Sequence, residues 1–155
     1  MSIREVTREN WREAVCLTVA PEQQRFVAGN DIPVVALALT KAYIRPGGLT
    51  WSPYVFYDGT SMVGFTSFAH KPGSDASYFL CHFFIDHRYQ GRGYGKEALN
   101  LFIRFVKENY PRCQTIRLTV HPENFVAQKL YERAGFQRTG KQSDGEPVYV
   151  LRMEE

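Results

Sequence analysis

The stretch FLCHFFIDHRYQGRGYGKEALNLFIRFV, residues 79–106, constrains the fold more than any other part of this chain. Its first seven residues are apolar but for one histidine, as expected of a central strand covered on both faces. Glycines follow at positions 91, 93 and 95, and then Leu99, Phe102, Ile103 and Val106 recur at helical spacing, with Pro111 beyond the end. A strand that runs into a glycine turn and then a helix presents unpaired N–H groups and the positive end of the helix dipole to solvent. With no Cβ in the way, an anion reaches those amides closely, so the turn reads as a phosphate cradle with Arg92 and Lys96 at its rim.

Two common phosphate-binding patterns do not fit. A P-loop needs Ser or Thr after its lysine, and Lys96 is followed by Glu97. The dinucleotide fingerprint would need glycine at position 96 or 98, which hold Lys96 and Ala98. The plain alternative is a glycine turn with no ligand.

The flanking segments complete an alternating pattern. A strand is expected near Ile3 to Val6, then a helix opening at Asn10 with Glu13 behind it, Trp11, Ala14, Val15 and Thr18 on one face, and Pro21 as its end. A second short helix spans Pro33 to about Tyr43, and IRPGGLTWSP reads as a loop. YVFYDGTSMVGFTSF is a hairpin about Asp58 and Gly59, and HKPGSDAS is the next turn. After the central helix, Ile116, Leu118 and Val120 alternate as a strand. Asn124 to Ala134 forms a helix with Val126, Leu130 and Ala134 facing the core, stopped by Gly135. Strands around Phe136 to Lys141 and Val148 to Met153 close the chain about SDGE. The order predicts a mixed α/β fold.

Composition bounds the function. The 155 residues, 44% of them hydrophobic, suit one domain over 1–155 with a sizeable core. A net charge of +3 without a basic stripe argues against nucleic acid, and the short apolar runs argue against membrane. The N-terminus lacks a signal-like apolar region, so a cytoplasmic location is expected. Cys16, Cys81 and Cys113 show no disulfide or zinc spacing, and the four histidines are scattered, so no metal is expected.

A second constellation, HPENFVAQKLYERAGF at 121–136, sets Asn124, Ala127 and Tyr131 on one helix face. Together with Gln90, Gly93 and Gly95, and with Leu130, Gly135 and Phe136, it strongly resembles the Gcn5-related N-acetyltransferase (GNAT) family. FIDHRYQGRGYGKEAL, PEN and DGEPV look more narrowly like the bacterial spermine/spermidine acetyltransferases. The resemblance implies a twisted sheet of about six to seven strands, mostly antiparallel with one splayed parallel pair, and about four flanking helices. It implies acetyl-coenzyme A as co-substrate. Gln90, Gly91, Arg92, Gly93, Tyr94, Gly95 and Lys96 would serve its pyrophosphate, Phe83 and Ile85 would pair through their backbones with pantetheine, and Asn124 would hydrogen-bond it. A homodimer is implied as well.

The implied reaction is direct attack of a small-molecule primary amine on the thioester, with a polyamine such as spermidine or spermine as the first acceptor. Aminoglycosides, amino acids and protein N-termini are alternatives, as is an acyl-coenzyme A sensor without turnover. Tyr131 matches the family's general acid. The base is open: related polyamine enzymes often carry an acid where this chain has Cys81. His82 has a suitable pKa, although regular alternation lets only one of Cys81 and His82 face a given cavity. Glu22 and His121 are rivals, Glu22 also as a ligand for a cationic amine.

Overall fold

The computed structural model describes residues 1–28 and 32–153. Seven strands form one sheet: β1 (Ser2–Glu5), β2 (Thr50–Asp58), β3 (Ser61–His70), β4 (Ser77–Ile85), β5 (Thr115–Thr119), β6 (Gln137–Ser143) and β7 (Glu146–Arg152). Their spatial order is β1-β2-β3-β4-β5-β7-β6, antiparallel throughout except for the parallel pair β4 and β5. Five α-helices are described: α1 (Trp11–Val15), α2 (Gln24–Val27), α3 (Val34–Ile44), α4 (Tyr94–Asn109) and α5 (Phe125–Arg133), the first two being very short. The expected mixed α/β sheet with one parallel pair is present.

The sheet separates two apolar clusters. Phe56, Phe68, Leu80, Leu99, Phe102 and Ile116 pack on the α4 face. Ala14, Val34, Val35, Val55, Phe65 and Phe84 pack on the α1 and α3 face. Leu99, Phe102 and Val106 of α4 are buried, as their spacing predicts.

Several elements depart from expectation. Asn10 does not cap α1 with its side chain; its Oδ1 accepts from Thr7 N–H at 2.7 Å and its Nδ2 donates to the Glu5 carbonyl at 3.0 Å. The helix itself is five residues long, and Thr18 lies outside it. Pro21 opens a 3-10 turn, Pro21–Gln23, that leads into α2. Thr50 to Pro53 belong to β2 rather than to a loop. Val6 N–H donates to the Pro53 carbonyl, so Pro53 turns its nitrogen toward β1 just where that strand ends. Val126 faces away from the core at 83% exposure, because the buried stripe of α5 runs through Gln128 and Tyr131.

Candidate active site

A cleft of about 1010 Å³ opens where β4 and β5 part. Their pairing covers only Ser77 to Phe79 with Thr115 to Arg117, yet both strands continue, so the backbone of β4 from Leu80 onward has no partner on that side. Phe83 and Ile85 both lie in the lining, beside the unpaired edge.

The glycine turn closes one end of the cleft. Gly91 and Gly93 have φ of 78° and 84°, which L side chains rarely adopt, and a Cβ on either would point into open space. Gly93 is the N-cap of α4, so the N–H groups of Tyr94, Gly95 and Lys96 have no intrahelical acceptor. The turn therefore fits a phosphorylated ligand. Gly91, Gly93, Tyr94 and Gly95 line the cleft, whereas the Arg92 and Lys96 side chains do not, and the Tyr94 hydroxyl donates to Asp58. Gln90 is partly spent on structure: its Nε2 donates to the Ile85 carbonyl at 2.9 Å, and its amide pairs reciprocally with Gln23 at 3.0 and 3.1 Å.

From α5, Asn124 caps the helix by accepting from Ala127 N–H at 3.3 Å while lining the cleft, so capping and a contact through its free NH2 coexist. Phe125, Lys129 and Arg133 also line it, four residues apart on one helix face, a spacing visible in the sequence but outside the expected site. Tyr131 is buried except toward the cleft, with no hydrogen-bond partner for its hydroxyl among the described residues. Its ring meets Phe83 and Phe136 edge-on. Burial, and then the nearby Cys81, push its pKa well above the usual phenol range, so the hydroxyl stays protonated.

Cys81 and His82 both line the cleft, against the expectation that only one could. The pairing of β3 with β4 shifts between Phe65 and Ser67, and His82 takes φ 52°: a β-bulge inserts one extra residue. Leu80 and Phe83 accordingly both pack on the α4 face, with two residues between them instead of one. His82 is tied at both nitrogens. Nδ1 lies 2.8 Å from the Val27 carbonyl and therefore donates, which leaves Nε2 to accept from Lys41 Nζ at 3.0 Å. Burial and the Lys41 charge lower its pKa, so the ring is neutral and its one lone pair is occupied. The Cys81 thiol, pushed up to about 11 by burial, is no nucleophile near neutrality.

Glu22 and His121 lie outside the lining. His121 Nδ1 accepts from Glu123 N–H at 3.1 Å, and its ring leans on Phe26. The segment before α3 contributes Val19, Gln23, Phe26 and Val27 instead, joined across the cleft mouth by Arg25 to Glu123 at 3.2 Å. No group of three His, Cys, Asp or Glu among the described residues could hold a metal ion, and no helix among them is long and apolar enough to cross a membrane.

Residues 20–136 match the acetyltransferase (GNAT) family model, and the chain belongs to that family. Among curated relatives it is 33% identical to a spermine/spermidine N(1)-acetyltransferase of Bacillus subtilis (strain 168), covering 97% of both chains. Among solved structures it is similar to a Vibrio cholerae spermidine N-acetyltransferase in complex with CoA and spermine, at 17% identity and TM-score 0.73, covering 97% of this chain and 94% of that one. An aminoglycoside acetyltransferase in complex with coenzyme A superposes with TM-score 0.76 at 15% identity, with 97% and 94% covered.

Proposed function

We propose that this protein uses acetyl-coenzyme A to acetylate the primary amine of a small molecule. The observation that carries the reading is the Tyr131 hydroxyl, held protonated and unpartnered at the split between β4 and β5, with the glycine turn at the end of the same cleft. Bound there, the co-substrate would supply an activated acetyl thioester. The amides at the start of α4 would hold the diphosphate, with Lys129 and Arg133 adding positive charge along the cleft, and the open edge of β4 would pair with the pantetheine arm. Tyr131 would donate its proton to the departing sulfur and recover one from the nitrogen as the amide forms. The acceptor has to arrive with a free lone pair, which costs an alkylamine on the order of 4 to 5 kcal/mol at pH 7. His82, with its lone pair engaged by Lys41, does not supply the base in this arrangement. Spermidine and spermine are the reference acceptors, because relatives are named for them.

The test pairs an assay of thiol release, over a panel of amines, with calorimetry of coenzyme A binding. Wild type should release thiol only when an amine is present, and Gly93→Val should bind coenzyme A at least tenfold more weakly. Binding heat without release under any amine would make the protein a sensor of acyl-coenzyme A; unaltered affinity in Gly93→Val would remove the cradle.

A further inference from the structure

The acceptor side of the cleft carries a charge that does not suit a polycation. Strand alternation places Tyr78, Leu80, Ile116 and Leu118 in the cluster beneath α4, so Phe79, Cys81 and Arg117 face the α3 side. Lys41 reaches that side from α3 and lines the cleft. Its Nζ spends one donor on His82 Nε2 and lies 5.0 Å from the centroid of the Trp51 ring, and no carboxylate among the described residues lies within salt-bridge distance. Cys81 and Tyr131 line the same cleft as this ammonium. Arg117, its Nε donating to Ser77 Oγ at 3.2 Å, adds a second positive group on the same face.

Among the described residues, the two acidic ones that line the cleft do not offset this. Glu123 is held by Arg25, and Glu146 stands on β7, on the far side of β5 from Lys41. A polyamine acetylated here would bring a further ammonium toward Lys41, which like-charge repulsion opposes. An acceptor with an anionic group beside its amine would instead find two free N–H donors on a fixed ammonium. His82 makes that ammonium fixed: its Nδ1 proton is committed to the Val27 carbonyl, so Nε2 can only accept from Lys41. From this geometry we infer that the acceptor carries a carboxylate within a few bonds of its reactive amine and that Lys41, positioned by His82, holds that carboxylate. The inference rests on the amine acetyltransferase reading and narrows its acceptor to the amino acid type.

The experiment titrates the coenzyme A-saturated protein calorimetrically with a panel of α-amino acids, with the amines left when their carboxylates are removed (2-phenylethylamine for phenylalanine, 3-methylthiopropylamine for methionine), and with spermidine. In wild type at least one amino acid should bind tenfold or more tightly than its amine. That ratio should fall to near one in Lys41→Met and in Lys41→Gln and be partly restored in Lys41→Arg, with circular dichroism verifying that each variant is folded. A ratio unchanged in both neutral variants, or spermidine bound more tightly by wild type than every amino acid, would overturn the inference. Thiol release with the same panel separates the two readings: its absence with every acceptor removes the transfer activity, whereas the binding ratio answers for Lys41 alone.

Discussion

Tyr131 keeps its proton over the whole working pH range because burial leaves the phenolate no means of stabilisation. Its role is therefore separable from binding. Tyr131→Phe keeps the edge-on contacts with Phe83 and Phe136 and removes only the hydroxyl, so turnover should fall by about 10²-fold or more while coenzyme A affinity stays within about twofold. Saturation kinetics and calorimetry on the same variant check this, and unchanged turnover would strip Tyr131 of the acid role. Tyr131, Asn124 and the glycines were legible in the sequence because each belongs to a local pattern within one turn or one helix. Lys41 and Gln23 were not, since each meets its partner, His82 or Gln90, across a long stretch of chain. The bulge at His82 was hidden for a different reason. FLCHFFI is apolar toward both faces, so a slip in alternation leaves no trace in the pattern.

At the scale of elements, β3 and β4 approach each other closely at Gly64, which pairs with Ile85. A Cβ on Gly64 would stand 2.8 Å from the Phe84 carbonyl oxygen and 2.9 Å from Ile85 Cδ1. The nearer atom is backbone, so Gly64→Ala must push the two strands apart rather than displace a side chain. Urea unfolding should show a loss of roughly 1 to 3 kcal/mol; a loss below about 0.5 kcal/mol would mean that the strand pair yields freely. The long periodic elements were foreseen: the β2–β3 hairpin and α4 announce themselves over many residues. At four residues α2 is too short to show a period, and α1 stops early where the Thr18 N–H beyond it donates to Asp86 rather than within a helix.

For the whole molecule, the junction of the two halves is Asp86. Fully buried, it accepts from Thr18 N–H at 3.0 Å and from Arg88 N–H and Nε at 3.0 and 2.8 Å, while His87 N–H donates to the Thr18 carbonyl at 2.9 Å. Burial alone would raise its pKa, but the bonds from Arg88 and the Thr18 amide outweigh it and hold the carboxyl below its ordinary value. A depressed folded pKa adds stability that is complete above the unfolded value of about 3.9 and is lost as pH falls through the folded value. Wild type should accordingly exceed Asp86→Asn in stability at pH 6, and the gap should close as pH drops below about 4. Thermal melts of both proteins across that range test this, and a gap independent of pH would assign the effect to shape rather than charge. The long-range tie to Thr18, like the Gln23 to Gln90 pair, joins residues from opposite halves, so nothing local in the sequence marks it.

The extra residue at His82 also dictates how this strand can change over generations. Upstream and downstream of it, the odd-numbered positions serve opposite sides: Cys81 looks toward α3 and Phe83 toward α4. Loss of the codon for residue 82 would restore plain alternation with Leu80, Phe83 and Ile85 still toward α4, so the strand can shed its extra residue without turning a neighbour inside out and forfeits only the His82 contacts with Val27 and Lys41.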